Sequence, residues 1–524
     1  MKKQIVNIIN FIRGVEPRVH VDLMEPVKEQ IMLLEKYNLP GTFLIQYDAL
    51  IQSEYTTLLK GISNGNVEIG VWLEIMKPLV EDCGIVWRGR ANFDWDWHAN
   101  VGFSVGYTCA ERMKVIDALF ERFKEAFGYY PKSVGSWLID AFSLEYMAKK
   151  YHIVASCNCK DQWGTDGYTL WGGYYGQAYY PSRHNAYTPA QTAAHQINVP
   201  VFKMLGSDPI YQYDLGLNVM DDESPASQHV VTLEPVYAGN TGGGGVPDWV
   251  DWYLDENFNG KCINFGYTQA GQENSFGWDA MKNGLTYQMA KIAELAGAGK
   301  VEVMTLAESG RWFAGRFATT PPTAIAALTD WKCEGRKSVW FNSKNYRMNI
   351  YAENDRFWIR DWHVYDENYT ERYIDSVCTE TYLVYDNLPV IDGNRWSGNG
   401  VRAGIYPCLP GGGAITFTAV SVDDASGSLV ITLQTNAGVF KIECREDDVS
   451  FSCTGGAFEM RFLSARDLPV VTASDRGICF SHNKHSYGIS LKKGFIEPEN
   501  GLALRSEQQS IVINYKETVV DELD

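Results

Sequence analysis

Acidic side chains recur in this sequence at the points where a strand-like apolar run ends. Asp140 follows the mostly apolar run 133–139 and precedes a helical pattern in which Leu144, Met147 and Tyr151 share one face. In an α/β barrel, a residue between a strand and the next helix faces the mouth of the active site. The same spacing is equally compatible with Asp140 acting only as the cap of that helix.

Four further carboxylates follow strand-like runs. They are Glu74, Asp161, Glu273 and Glu308. Because the carboxyl ends of barrel strands meet at one rim, we expect these four side chains to converge with Asp140 on a single cleft. Arg13 and Glu16 follow the first predicted strand, and we place both among the substrate-binding residues.

Aromatic residues are unusually frequent, with 16 Trp and 30 Tyr, and several lie in predicted loops. Aromatic rings beside carboxylates suit sugars, whose C–H faces stack on rings while their hydroxyls seek polar edges. Filling of the hydrophobic core explains most single Trp residues but fits poorly with the run 93–98, in which Asp alternates with Trp. The composition therefore favours a carbohydrate substrate.

The net charge of −18 argues against nucleic acid or an anionic membrane as a partner, because a phosphate-binding face needs a basic surplus. No apolar run approaches the length of a membrane span, and polar residues interrupt the stretch behind the opening Met-Lys-Lys, which is unlike a signal peptide. The eleven cysteines then predict reduced thiols and a cytoplasmic location. Cys157 and Cys159 are too close together for the usual zinc spacing, and we predict no metal and no cofactor.

Strand and helix periods alternate up to about residue 317. The predicted strands of this part are eight: 4–11, 42–45, 67–73, 133–139, 153–157, 201–205, 263–267 and 301–305. Helical periods disappear after the Thr-Thr-Pro-Pro stretch at 319–322, where short alternating segments begin. The sequence thus predicts a (β/α) barrel of seven or eight units in residues 1–320, with an insertion around 216–260, and an all-β, sandwich-like domain in residues 321–524.

Several motifs, in order, resemble those of known glycosidases. Gly135-x-Trp137-x-x-Asp140 resembles the nucleophile motif of glycoside hydrolase family 57, and Trp137 to Phe142 is similar to a Trp-x-Ile-Asp-x-Phe segment of the family 38 α-mannosidases. The stretches 66–69, 273–278 and 305–308 resemble further family 57 motifs. This order of motifs is typical of the superfamily, whose barrel is related to that of polysaccharide deacetylases, and the chain departs from it at two places. Arg13 to Pro17 replaces the opening His-Gln-Pro, and Gly271 stands where an acidic residue is expected.

The resemblance implies retaining glycoside hydrolysis of an oligo- or polysaccharide, and of an α-glycoside in particular. In such a reaction one carboxylate attacks the anomeric carbon while a second, protonated carboxyl donates to the leaving oxygen. On this basis Asp140 is the expected nucleophile, Glu273 the expected acid and Asp161 the next candidate. Glu74 and Glu308 are expected to position hydroxyls. The sugar pocket is expected to be lined by Trp72, His98, Trp137, Trp163 and Gln269.

Two other classes of function stay open at this point. A sugar-binding barrel without catalysis is compatible with the missing acid at Gly271. A metal-dependent deacetylase or mannosidase-like enzyme is the second alternative, since His20-Val21-Asp22 superficially matches a family 38 zinc pair. These two residues lie just before the helix predicted at Pro26, so capping of that helix is the simpler interpretation.

Overall fold

The computed structural model describes residues 2–63, 65–215, 229–425, 427–497 and 502–515. Residues 216–228, which form the first part of the predicted insertion, lie outside the described residues. The rest of that insertion is an irregular stretch followed by a helix that begins at Pro247.

The first 304 residues contain eleven strands in the described ranges. They are β1 (Lys3–Ile12), β2 (Gly41–Ile45), β3 (Val67–Trp72), β4 (Ser133–Gly135), β5 (Ala155–Cys159), β6 (Gln162–Thr165), β7 (Tyr168–Leu170), β8 (Ala178–Tyr179), β9 (Val201–Met204), β10 (Phe265–Ala270) and β11 (Glu302–Met304). Each of the eight predicted strands has a counterpart, although β4 ends four residues earlier than the apolar run suggested.

Within the described residues, ten α-helices lie between and after these strands. They are α1 (Met24–Tyr37), α2 (Tyr47–Leu50), α3 (Ser53–Lys60), α4 (Lys77–Asp82), α5 (Ala99–Gly102), α6 (Cys109–Phe127), α7 (Ala141–Tyr151), α8 (Pro247–Asn259), α9 (Trp278–Gly297) and α10 (Leu306–Arg316). The longer helices bury one apolar face against the sheet. In α6 this face comprises Val115, Ile116, Leu119, Phe120 and Phe123, and a Thr108–Glu111 capping box fixes the start of the helix.

The strands form a nearly closed, barrel-like sheet in the order β10-β1-β2-β3-β4-β5-β9-β8, with β11 also paired to β1. All of these pairs are parallel except β8 with β9. The carboxyl ends of β1, β3 and β10 therefore point to the same side, and the loops that follow them share one rim. The chain is thus a mixed α/β protein built on a barrel-like sheet.

Helix α10 covers the opposite, amino-terminal end of the barrel. Its first backbone amides contact residues at the starts of β2 and β3, where Leu306 N donates to Thr42 and Ala307 N donates to Glu68. Phe313 is fully buried among aromatic rings of the barrel interior, with Phe265 at 5.8 Å and Phe202 at 6.1 Å between ring centroids. This end of the barrel is filled by side chains.

A short hairpin, β6–β7, reaches from the end of β5 toward the rim. Its two-residue turn is Asp166-Gly167, with φ values of 42° and 73°. An Asp-Gly pair with both residues in the left-handed region is the favoured two-residue hairpin turn, because its twist matches that of the flanking strands. The turn therefore holds the Asp166 side chain at the tip of the hairpin.

The chain after α10 forms strands and, in its described part, no α-helix. These strands are β12 (Thr323–Ala327), β13 (Lys337–Asn342), β14 (Tyr346–Glu353), β15 (Arg356–Val364), β16 (Leu383–Val384), β17 (Leu388–Asp392), β18 (Gly404–Cys408), β19 (Phe417–Asp423), β20 (Leu429–Thr435), β21 (Gly438–Cys444), β22 (Asp448–Cys453), β23 (Glu459–Leu463), β24 (Val470–Ala473), β25 (Gly477–His482), β26 (His485–Lys493), β27 (Phe495–Glu497), β28 (Ala503–Arg505) and β29 (Ser510–Asn514). They form a nine-stranded and an eight-stranded sheet, while β16 pairs with β7 of the hairpin.

The division into two domains at residue 320 stays a prediction. Among the described helices, none has both the length and the apolar character that crossing a bilayer requires.

Candidate active site

Arg13 is the centre of a buried charged cluster at the carboxyl rim of the barrel. It follows β1 directly and is 0% exposed. Its Nη2 atom lies 3.4 Å from Glu74 Oε2 and 3.2 Å from Glu273 Oε2, and its Nη1 atom lies 3.6 Å from Glu16 Oε2. Three carboxyl groups from three loops therefore surround one guanidinium.

The barrel strands place these groups together. Glu74 follows β3 by two residues, and Glu273 follows β10 by three. Asn274 fixes the two loops to each other, since Arg13 N donates to Asn274 Oδ1 and Asn274 Nδ2 donates to the Arg13 carbonyl, both at 2.8 Å. This reciprocal pair holds Glu273 beside Arg13.

Several polar atoms of the cluster have no hydrogen-bond partner within the described part of the chain. They are Arg13 Nε, Nη1 and Nη2, Glu74 Oε1, Glu273 Oε2, Gln46 Oε1, Trp95 Nε1 and Trp137 Nε1. The ion pairs around Arg13 satisfy the distance of a salt bridge but not the geometry of a hydrogen bond. Buried polar groups without partners are costly, so a cluster of both donors and acceptors is a candidate place for a polar ligand or for bound water.

Burial dominates the electrostatics of the two rim carboxyls. It raises the pKa of Glu74 to about 7; the Arg13 charge opposes this shift and the Glu273 charge adds to it. Burial also raises the pKa of Glu273, against the Arg13 charge and a hydrogen bond from Ser275. The two carboxyls thus compete for one cation, and burial favours the protonated form of both.

Glu16 behaves in the opposite way. Burial alone would raise its pKa, but hydrogen bonds from Arg18 outweigh burial, so that the pKa is lowered. Arg18 donates to both oxygens, through Nε at 2.9 Å and Nη2 at 2.8 Å. Glu16 is therefore a permanent anion that connects Arg13 to Arg18.

Glu74 is held by neutral donors as well as by Arg13. Its Oε2 atom accepts from Gln46 Nε2 and from Trp72 Nε1, each at 2.9 Å. Since the Oε2 atoms of Glu74 and Glu273 lie 3.4 and 3.2 Å from the same nitrogen, they can be no more than 6.6 Å apart. This upper limit is compatible with the separations of paired catalytic carboxylates.

The backbone conformation explains why position 271 is a glycine. Its φ is +101°, and a Cβ atom added there would lie 2.3 Å from the carbonyl oxygen of Ile9. An acidic residue could not occupy this position without moving β1. The neighbouring Gln272 instead contacts Glu234, whose pKa burial raises to about 7 with the Glu273 charge adding to the shift.

The aromatic run 93–98 forms a roof over the cluster. Trp95 is buried, with the guanidinium carbon of Arg13 at 3.9 Å from its ring centroid and that of Arg18 at 4.7 Å. Trp97 lies 5.1 Å from Arg18 and 4.0 Å from Arg90 in the same way. The result is a ladder of alternating rings and guanidinium groups.

This ladder adds a role that the sequence did not predict. The Trp rings of the run contact arginine side chains, while their stacking on a sugar stays a prediction. His98 of the same loop lies near Asp96, with 3.6 Å between Nδ1 and Oδ1, and is not among the groups that contact Arg13.

The tip of the β6–β7 hairpin completes the cover. Arg18 Nη1 donates to Asp166 Oδ1 at 3.1 Å. A Cβ atom added at Gly167 would lie 2.6 Å from the Trp97 carbonyl oxygen, so the hairpin and the Trp loop touch. A continuous chain of charged side chains thus runs from the buried cluster to the hairpin tip, through Arg13, Glu16, Arg18 and Asp166.

The structure places Asp140 elsewhere, as the N-cap of α7. Its Oδ1 atom accepts from Arg112 Nη1 and Ser143 N, both at 2.9 Å, and its Oδ2 atom accepts from the hydroxyls of Ser104 and Ser143. The residue is 0% exposed and each oxygen already holds two donors. This geometry disfavours attack by Asp140 on a substrate and favours the alternative of a helix cap.

Asp161 and Trp163 also lie outside the cluster, next to the strands that follow residue 320. Asp161 forms an ion pair with Arg347 and accepts from the Tyr187 hydroxyl. Trp163 packs in a buried aromatic group with Trp171 and Trp340. Neither residue contacts Arg13.

Two further predicted site residues, Glu308 and Gln269, form hydrogen bonds within the protein. Glu308 is exposed in the capping box of α10, where it accepts from Thr305 N, and it lies at the amino-terminal end of the barrel. Gln269 ties strands together by accepting from Leu205 N and donating to the Ile9 carbonyl. The expected convergence of five acidic residues is therefore met by Glu74 and Glu273 and not by the other three.

The two remaining predicted aromatic residues, Trp72 and Trp137, pack next to the Arg13 cluster. Trp72 stacks on Phe11 with 4.2 Å between ring centroids, and Trp137 packs edge-on against Trp72 at 5.4 Å. The Trp72 indole donates to Glu74, while that of Trp137 has no partner in the described residues. These two residues remain candidates for substrate contact.

The donor set does not suit a metal ion. The described residues contain no group of three or more His, Cys, Asp and Glu side chains that could hold one. At the rim, the guanidinium of Arg13 already supplies positive charge to the three carboxyls. Asp22 accepts from Met24 N and Glu25 N, so it caps α1, and His20 is exposed beside it.

Sequence reasoning missed several residues of the site. They are Arg18, Gln46, Trp95, Asp166, Glu234, Asn274 and Ser275. Asp166 carried a usable signal, since Asp-Gly between two short apolar runs predicts a hairpin tip. Trp95 belonged to a run that was singled out, but its contact with Arg13 depends on a loop conformation that periodicity does not describe.

A family model described as a domain of unknown function with a solved structure (DUF3863) matches residues 100–321. No curated protein matches the sequence. Among solved structures, the chain is similar to a protein from Parabacteroides distasonis that has the provisional name glycoside hydrolase/deacetylase, at a TM-score of 0.53 and 14% identity over 73% of this chain and 91% of that one. At this identity the similarity shows the fold.

Weaker similarities involve two proteins named as polysaccharide deacetylases. One is from Mycobacterium smegmatis, at a TM-score of 0.36 and 10% identity over 60% of this chain and 91% of that one. The other is from Pseudomonas aeruginosa PAO1, at a TM-score of 0.35 and 11% identity over 60% of this chain and 93% of that one. The predicted resemblance to glycosidase and deacetylase barrels holds at the level of the fold, without singling out glycoside hydrolase families 57 or 38.

Proposed function

We propose that this chain is a retaining glycoside hydrolase that uses Glu74 and Glu273 as its carboxyl pair. The observation that carries the proposal is the position of both groups beside one nitrogen of Arg13. Their Oε2 atoms are at most 6.6 Å apart, which agrees better with the ~5–5.5 Å of retaining sites than with the ~6.5–9.5 Å of inverting sites. Each group also keeps one oxygen that accepts no hydrogen bond from the described residues, although the Glu273 oxygen forms the ion pair with Arg13.

Glu74 is suited to be the general acid. Its Oε2 atom accepts two neutral hydrogen bonds, so the proton belongs on Oε1, which is free to donate. With a pKa of about 7, a substantial fraction of this carboxyl carries the proton at neutral pH. A donor of this pKa matches the operating pH at which acid catalysis is efficient.

Glu273 is suited to be the nucleophile. It is the carboxyl nearest to Arg13, whose charge favours the ionised form. In the first step Glu273 bonds to the anomeric carbon, the glycosidic C–O bond breaks and Glu74 gives its proton to the leaving oxygen. In the second step water attacks the same carbon, Glu74 takes the proton of the water and the bond to Glu273 breaks.

This proposal reassigns the roles expected from sequence. We do not assign Asp140 as the nucleophile, because both of its carboxylate oxygens accept hydrogen bonds. Asp161 forms an ion pair with Arg347. Glu273 remains one of the two proposed catalytic carboxyls, as the nucleophile and not as the acid. The carboxyl surplus around Arg13 and Arg18 disfavours acidic sugars, and we propose a neutral glycoside, with α-glycosides first because both resembled families act on them.

A metal-dependent deacetylase is the second candidate, and the fold similarity alone would allow it. The residues of the rim oppose it, because Arg13 stands among the carboxyls where a metal would have to bind. A sugar-binding barrel without catalysis would not need two carboxyls with raised pKa values side by side. We also retain, as a proposal, the division into a catalytic barrel of residues 1–320 and a sandwich-like domain of residues 321–524.

The test is activity on a panel of neutral aryl α- and β-glycosides, with the anomeric configuration of the product followed by NMR. We expect retention, and a fall in turnover of about 10²–10⁴-fold in Glu74→Gln on substrates with poor leaving groups. Glu294→Gln is a matched control, since that side chain is 72% exposed on α9. An inverted product, or full activity in both Glu74→Gln and Glu273→Gln, would contradict the proposal.

A further inference from the structure

The groups proposed to act on the substrate are almost sealed from water. Glu74 and Glu273 are 1% and 3% exposed. An enzyme that cuts inside a polymer needs a groove that is open at both ends, so that the chain can pass across the catalytic pair. An enclosed pair suits a pocket that surrounds a single sugar unit.

Two loops make the enclosure. Trp95 covers Arg13 from one side, at 3.9 Å from the guanidinium carbon to the ring centroid. The tip of the β6–β7 hairpin extends this cover, since Asp166 accepts a hydrogen bond from Arg18, which itself stacks on Trp95. Gly167 packs against the backbone of the Trp loop, since its added Cβ would lie 2.6 Å from the Trp97 carbonyl oxygen.

The ion pair between Arg18 and Asp166 is a weak contact within this cover. Trp95 is 1% exposed, whereas the side chains of Arg18 and Asp166 are 32% and 29% exposed. Water screens an ion pair of this exposure, so the pair contributes little to holding the loops together. This ion pair therefore offers little resistance to a separation of Arg18 from Asp166.

We propose that the pocket admits one terminal sugar of the substrate, opens between Arg18 and Asp166, and so removes sugars from the non-reducing end of a chain. The direction follows from the chemistry, because the enclosed sugar carries the anomeric carbon and is joined to the rest of the substrate only through the leaving oxygen. This inference rests on the proposed glycosidase function and adds where on a chain the enzyme acts.

The experiment compares two oligosaccharides of the preferred sugar, both labelled at the reducing end. One has a free non-reducing end, and in the other that end is blocked by a bulky cyclic ketal. We expect the free substrate to release monosaccharide from the first time point and the blocked one to react at least about 100-fold more slowly. Internal fragments at early times, or equal rates on the two substrates, would overturn the inference alone.

A variant tests the place of opening. Asp166→Lys sets two cations against each other at the weak contact, so the preference for the free over the blocked substrate should fall at least about tenfold. Asp279→Lys, at an exposed ion pair on α9, should leave this preference unchanged. An unchanged preference in Asp166→Lys would contradict opening at this contact. Failure of every aryl glycoside and oligosaccharide to react would instead overturn the proposed function, and this inference with it.

Discussion

Replacing Glu74 by Gln should stabilise the protein at high pH. Burial raises the pKa of Glu74 from 4.5 to about 7, which means that the folded state disfavours the ionised form. A shift of this size corresponds to about 3 kcal/mol of folding free energy. A site that weakens the fold in this way is expected where the group has a catalytic task.

The sign follows from linkage. A carboxyl with a raised folded-state pKa costs nothing below its unfolded value, since both states are then protonated. The cost grows as pH rises from 4.5 toward about 7 and stays constant above that. Glu74→Gln removes the titration and keeps an amide oxygen that can accept from Gln46 and Trp72. Its free energy of unfolding, relative to that of the parent protein, should therefore be about 3 kcal/mol higher near pH 8 than near pH 4.

Urea unfolding of both proteins at the two pH values measures this difference. Titrating groups distant from Glu74 contribute equally to parent and variant, so their effect cancels, and the coupled Glu273 carboxyl is the neighbour whose titration also changes. Glu294→Gln removes a carboxyl that is 72% exposed and should show no comparable pH-dependent gain. If Glu74→Gln has the same stability difference near pH 4 and near pH 8, the argument from burial is wrong.

Further predictions concern the activity and the fold. With Glu74 as the acid, kcat/KM on aryl glycosides should fall as pH rises above about 7, because the proton to be donated is lost; a profile flat to high pH would count against this role. Asp140→Asn should lower the free energy of unfolding by about 3–5 kcal/mol, since it removes the carboxylate that forms the ion pair with the buried Arg112, and should keep turnover of the folded enzyme within about tenfold. Gly271→Ala should cost more than about 1 kcal/mol, measured in urea, because an added Cβ would lie 2.3 Å from the Ile9 carbonyl oxygen.

The barrel strands could be predicted from sequence because their signal is local. Apolar runs of strand length alternate with helical periods, and each of the eight predicted strands has a counterpart in the barrel-like sheet. The end of β4 was less predictable. Leu138 and Ile139 continue the apolar run, but they are buried in the loop before α7 and do not pair with a neighbouring strand.

The candidate site could be predicted only in part. That Glu74 and Glu273 reach one rim follows from parallel strands, so position along the sequence was sufficient for both. Asp140 and Glu308 occupy the same kind of junction, yet they cap helices, because a carboxylate at a helix start satisfies free backbone amides. A junction alone does not separate these roles. Partners distant in sequence decide between them, such as Arg112 for Asp140 and Arg13 for Glu74.

The aromatic run shows a second limit of sequence reasoning. Alternation of Asp and Trp suggested rings that stack on sugar, while the structure pairs the rings with Arg13, Arg18 and Arg90. Both interpretations rest on the same property of the indole ring, which attracts C–H groups and cations alike. Which partner occupies the ring depends on loops that come together from distant parts of the chain.

The most direct test of the account is the identity of the residue that bonds to the sugar. An activated 2-deoxy-2-fluoro glycoside slows both steps and lets a covalent intermediate accumulate, which peptide mass spectrometry then locates. We predict that the label is found on Glu273 and that Glu273→Ala forms none while remaining folded. A label on Asp140, or turnover of the glycoside without any covalent intermediate, would contradict the assignment of Glu74 and Glu273 as the catalytic pair.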